Sequence, residues 1–177
     1  MQKPQLTGSY NVETTVSINA SQQKVWEILG DFTNVAWAPG VKASHAIGKS
    51  ELGIGAGRHC TLDGFGEIDE YITQWHEGTG FVYNVSALGP LNNAHSRWWL
   101  TKTGANTCSL NIVISYDIRF SVLGMLLHTL IMRKKLEQSL PQTAIAVKEQ
   151  AETRHKDKSS VNAEHTSNGD HVVGVQS

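Results

Sequence analysis

The stretch Tyr10–Gly30, YNVETTVSINASQQKVWEILG, changes its hydrophobic rule half-way along, and that change decides the fold. From Tyr10 to Asn19 the chain alternates, with Val12, Thr14, Val16 and Ile18 on one side and Glu13, Thr15 and Ser17 on the other. A period of two, rich in β-branched residues, specifies a strand with one buried face. At Ala20-Ser21 the period lengthens. Ser21 is suited to N-cap a helix whose apolar stripe is Val25, Trp26, Ile28 and Leu29. Gly30-Asp31 ends that helix. Asp31 is placed to cap a second short helix to about Trp37, closed by Pro39-Gly40.

Working outward, six further strand-like runs follow at 41–47, 56–63, 66–76, 79–88, 93–103 and 106–118. The turns between them carry the residues that turns require: Gly53 to Gly57, Asp63-Gly64, Glu77-Gly78, Gly89-Pro90 and Gly104-Ala105-Asn106. Strands in succession with no helix between them predict an antiparallel meander. After Phe120 the period returns to that of a helix. Met125, Met132, Leu136, Leu140, Ala144, Val147 and Ala151 form one stripe, predicting an amphipathic helix over about 122–153. Pro141 inside it is expected to kink or split that helix.

The predicted organisation is a flexible N-terminal arm at 1–9, one domain at 10–153 and a polar, disordered tail at 154–177. The predicted class is α+β: a curved seven-stranded antiparallel sheet, two short helices after the first strand, and a long C-terminal helix across the concave face. One helix cannot fill the concave side of such a sheet. A hollow is expected between them, and function is to be sought there.

Composition narrows the classes. The 177 residues are 40% hydrophobic and 18% charged, enough for one self-sufficient core. Lys and Arg number 15 against 16 Asp and Glu, so there is no basic stripe for nucleic acid. Cys60 and Cys108 lack CxxC spacing and read as buried thiols in a reducing compartment. The polar N-terminus shows no secretory signal. The apolar run Val122–Met132, broken by Gly124, His128 and Thr129, falls short of the roughly 20 residues a membrane span needs. A cytoplasmic location is expected. The eight histidines show no HxH or HExxH spacing, so no metal site is expected, and no cofactor. Gly53 to Gly57 lacks the GKS or GKT of a phosphate loop and reads as a strand-to-strand turn.

Glu70 is the most informative residue. It lies between Ile68 and Ile72, so strand parity puts a carboxylate on the apolar face, where it needs a partner or a proton. Lys42 and Arg58, on adjoining strands, could neutralise it or meet an acidic group on a ligand; either could equally be a snorkelling cation at the sheet edge. Three readings of Glu70 stay open: a structural ion pair, a ligand contact, or a general acid or base. Phe81 and Tyr83 share one face, as do Ser96 and Trp98, and as do Ile114 and Tyr116. These residues mix core and cavity lining, and the tyrosine hydroxyls are the orienting groups.

The run Val16–Phe32 resembles the opening of the START-like (SRPBCC) superfamily, in its polyketide cyclase/dehydrase and lipid-transport branch. Trp37-Ala38-Pro39-Gly40-Val41, Gly53 to Arg58, Asp69-Glu70-Tyr71 and Phe81-Val82-Tyr83 follow in the order and spacing of that branch, and the likeness covers about 10–153. It implies a helix-grip fold, and it implies carriers, receptors and cyclases alike. A fainter likeness is to the plant abscisic-acid receptors. It would set a cavity lysine at Lys42, a cavity glutamate at Glu70, a gate at Asp63-Gly64-Phe65-Gly66 and a latch at Leu88-Gly89-Pro90-Leu91. A cavity tyrosine of those receptors is replaced by Ala94, and the gate and latch differ, which argues against the same hormone.

The expected function is a carrier or sensor for an apolar small molecule or lipid. Its ligand-binding residues are expected among Lys42, Arg58, Glu70, Phe81, Tyr83, Ser96, Trp98, Ile114 and Tyr116. One alternative is a metal-independent enzyme of the polyketide cyclase/dehydratase type, although no acid/base pair is visible. Another is a protein-interaction module with an incidental cavity. Oligomeric state is not legible.

Overall fold

Each alternating run pairs with a run of matching alternation, because only then does every apolar face meet the same side of a sheet. The computed structural model describes residues 2–119, 126 and 131–167, with side chains to Thr153. Its elements are β1 (Tyr10–Ile18), α1 (Gln22–Leu29), β2 (Val41–Gly48), β3 (Ala56–Leu62), β4 (Gly66–His76), β5 (Gly80–Val85), β6 (Leu91–Lys102), β7 (Cys108–Ile118) and α2 (Arg133–Ser167). Seven strands form one antiparallel sheet in the order β1-β7-β6-β5-β4-β3-β2. The first strand closes against the last, with Tyr10 opposite Tyr116 and Ile18 opposite Cys108. β1 and β2 are the two edge strands.

Bulges interrupt the ladder between Val41 and Ala43, Ile72 and Gln74, and Asn92 and His95. Bulges bend a strand and increase its twist, which suits a sheet that curves around a helix. Asn93, in the third bulge, has φ 45°, a conformation asparagine tolerates better than most residues.

The stripe on α2 meets the sheet as its spacing requires. Met132, Leu136, Ala144, Val147 and Ala151 are buried, and the helix packs mainly on β1 and α1. Ala144, Val147 and Ala151 join Trp26, Phe32, Phe81 and Trp98 at one end of the concave face, while Met132 and Leu136 pack with Val12, Leu91 and Tyr116 in a second cluster.

Several expectations are corrected. Ser21 occupies the N-cap position of α1 but its hydroxyl makes no capping bond. The second short helix is absent. Residues 31–40 form separate turns, in which Asn34 donates to Asp31 and Ala38 to Val35, and Pro39 prevents continuation. Pro141 does not split α2, which runs through it. Packing of Leu136, Leu140, Ala144 and Val147 holds both sides of the proline on the core. The helix also continues past 153 to Ser167; residues 154–167 contain neither Gly nor Pro to stop it. The expected helical residues 122–125 and 127–130, and tail residues 168–177, lie outside the described residues.

Residues 2–9, expected as an arm, lie along the convex face. Arg97 Nη1 donates to Pro4 O at 2.5 Å, and both the amide and hydroxyl of Ser9 donate to Asp117 Oδ1. Gly8 fits there because a Cβ would come within 2.5 Å of Ser115 Oγ.

Candidate functional site

Between α2 and β2–β7 the concave face is not filled, and a cavity of about 200 Å³ remains. Its wall is mostly aliphatic, from Ile68, Val85, Leu91 and Ala94 on the sheet to Leu136 and Leu140 on α2. The turns after α1 supply Val35 and Ala38, and the β3–β4 turn supplies Phe65 at the rim.

One buried ion pair lies in this wall. Arg58 and Glu70 are directly opposite in the β3–β4 register, both on the concave face, and only 6% and 5% exposed. Arg58 Nε donates to Glu70 Oε2, while Nη1 donates to Phe32 O at 2.7 Å. The guanidinium carbon stands 4.1 Å from the Phe32 ring centroid and 5.3 Å from that of Tyr83. Burial by itself would lower the Arg58 pKa; the Glu70 carboxylate, together with smaller contributions from Tyr83 and Cys60, outweighs it, and the net shift is upward. The guanidinium stays charged, and Glu70 is its counter-ion.

Cys60 adjoins the pair, with Sγ 3.8 Å from Ser44 Oγ and 4.0 Å from Glu70 Oε2. Burial and the Glu70 charge push its pKa up, so it remains a thiol. Tyr83 is raised further, first by burial and then by Glu70. Ser96 and Trp98 beside its hydroxyl oppose that rise. Ser96 Oγ itself donates to Val113 O.

Of the residues singled out in sequence, Arg58, Glu70, Tyr83, Ser96, Trp98 and Ile114 all reach the cavity wall. The other three do not. Lys42 is 61% exposed and bridges Asp63 at 2.8 Å. Plain alternation would put it on the concave face with Ser44, but the Val41–Ala43 bulge falls on it. Phe81 is walled in by Trp26, Phe32, Trp75 and Trp98, so the end of the hollow beneath α1 is solid core. Tyr116 stacks on Tyr10, with centroids 5.9 Å apart, in the cluster under Met132 and Leu136.

Sequence reasoning missed Phe32, whose carbonyl and ring both engage Arg58, and Cys60, which shares strand parity with Arg58. Parity could have found Cys60. No local signal marks a carbonyl in an irregular turn. Among the described residues no cluster of His, Cys, Asp and Glu could hold a metal, and no helix is long and apolar enough to cross a membrane.

Residues 9–152 match the family model described as polyketide cyclase / dehydrase and lipid transport. No curated protein matches the sequence. Solved structures do. The Zhui aromatase/cyclase from Streptomyces sp. R1128 is 16% identical, with TM-score 0.66 over 82% of this chain and 94% of that one. A START superfamily protein from Mycobacterium smegmatis is 17% identical, with TM-score 0.64 over 81% and 97%. Norcoclaurine synthase from Thalictrum flavum is 14% identical, with TM-score 0.65 over 86% and 99%. At these identities the likeness is one of fold.

Proposed function

The chain belongs to the START-like polyketide cyclase / dehydrase and lipid transport family, and on that footing we propose that it is a binding protein, a carrier or sensor for a largely apolar small molecule or lipid. The observation that carries this reading is the hollow itself: about 200 Å³, mostly apolar, with its buried charges confined to the Arg58–Glu70 pair. Apolar walls with a few convergent polar groups are what a small-molecule site requires. The ligand's body is buried against the aliphatic wall, and the Arg58, Glu70 and Tyr83 side chains orient its polar end. Lys42, committed to Asp63 at the surface, has no part in this role.

The enzymatic alternative needs an acid/base group free to move a proton at a reacting centre. Glu70 is tied to a permanent cation, while Cys60 and Tyr83 hold their protons above the neutral range. That ranks binding above catalysis. Native mass spectrometry of the full chain purified from its own host is the test. A co-purifying apolar molecule of one defined mass, lost from a variant with the cavity blocked, is the expected result. Mass-pure apoprotein that takes up no apolar probe would overturn the proposal.

A further inference from the structure

The apolar run Val122–Met132, too short to cross a bilayer, is bracketed by cations. Between Asp117 and Glu137 stand Arg119, Arg133, Lys134 and Lys135 and no acidic residue, in a chain whose net charge is −1. Apolar sequence bordered by Lys and Arg is the composition of segments that lie in a bilayer's interface instead of spanning it.

The described part of this stretch stands at the rim of the hollow. Met132 and Leu136 are buried, which turns Ile131, Arg133 and Lys134 outward. Ile131 is 46% exposed, about one helical turn before Lys134 and Lys135, and Leu126 is 56% exposed. Arg133 is paired with Glu137, but Lys135 Nζ donates to a carbonyl, Gly64 O, at 2.9 Å, and lies 4.3 Å from the Phe65 ring centroid. Asp63, close enough to feel Lys135, is already bridged to Lys42. Phe65 and Leu136 both line the hollow, so these cations border its rim.

We propose that the start of α2, together with the β3–β4 turn, is a docking surface for a bilayer containing anionic phospholipids. Lys134 and Lys135 meet the headgroup phosphates, and Ile131 and Leu126 enter the apolar boundary beneath. A bilayer interface matches both kinds of group at once, since it sets negative charge directly over an apolar layer. The rim of the hollow then faces the membrane, and an apolar ligand passes between them without crossing water. This goes beyond the binding reading above, and its test needs no ligand.

The full chain is floated in dilute salt with vesicles of phosphatidylcholine alone, and with vesicles in which about a third of the lipid is phosphatidylglycerol. Partition onto the anionic vesicles is expected to be about tenfold stronger or more, and to weaken steeply as salt is raised. Lys134→Gln is expected to lower it about fivefold, and Lys134→Gln/Lys135→Gln further, each cation near such a surface being worth about that factor. Ile131→Ser is expected to lower it severalfold, while Ile145→Ser, exposed further along α2, leaves it unchanged. Equal partition onto both vesicles would overturn the inference, as would partition undiminished by the Lys134 and Ile131 variants. Capture by immobilised polyglutamate as strong as by vesicles, and indifferent to Ile131→Ser, would make an acidic protein the partner instead. A ligand held in the hollow of a protein that binds no vesicle would overturn the docking surface and leave the binding reading standing.

Discussion

Glu70 faces a guanidinium that does not give up its proton, in a wall that excludes most water. Removing one member of such a pair leaves the other charge buried and alone, at a cost of about 3–5 kcal/mol. Glu70→Gln is therefore expected to lose stability on that scale in urea denaturation, and Arg58→Leu/Glu70→Leu to recover most of it. A double variant no better than the single would show that the pair does more than neutralise itself. A second test concerns Cys108, whose pKa burial raises to about 11. A proton held more tightly in the folded state contributes stability in full below the ordinary thiol value near 9, and that contribution is lost as pH rises through 11. Denaturation at pH 8 and pH 10.5 is expected to show a drop that Cys108→Val reduces; an equal drop in the variant would sink the assignment. Glu70's orientation was legible because parity between Ile68 and Ile72 leaves one choice of face. Lys42 was not, because a bulge is a single extra residue that alternation cannot register.

Strand limits were legible for a related reason: each turn carries glycine, and glycines 48, 53, 55, 64, 66, 78 and 89 all have positive φ. The expected second helix failed where its only support was a cap residue without a following apolar stripe. Pro141 tested the opposite case, a breaker set within a stripe, and the stripe prevailed. A proline inside a helix costs a hydrogen bond and crowds the preceding turn, about 3 kcal/mol against alanine. Because α2 is held helical on both sides by buried residues, Pro141→Ala is expected to raise stability by about 1–3 kcal/mol. A lowered melting temperature would show that the proline ring, partly buried, contributes packing that outweighs the backbone cost.

At the scale of the whole molecule, a strongly bent sheet and a single helix enclose more space than their side chains occupy. The solid end lies under α1, where Trp26, Phe32, Phe81 and Trp98 interlock; the hollow end lies toward β2–β4 and the start of α2. Whether that hollow is a binding site or loose packing can be decided by filling it. Ala94 is buried in the wall, opposite Val85 in the β5–β6 register, and has only a methyl group to offer. Phenylalanine there would occupy the space a ligand needs. Added apolar contacts then offset the strain of a larger side chain, so Ala94→Phe is expected to change stability by no more than about 1–2 kcal/mol in either direction. Its effect on binding is expected to be far larger, with affinity for 1-acetonaphthone falling about tenfold or more. A ligand that binds only the native state raises the melting temperature in proportion to the logarithm of its excess over Kd. The unaltered protein should therefore show a probe-dependent rise and Ala94→Phe almost none, while Ile145→Phe, on the exposed side of α2, keeps the full rise. An undiminished rise in Ala94→Phe would place the probe elsewhere and leave the hollow as empty space beneath a curved sheet.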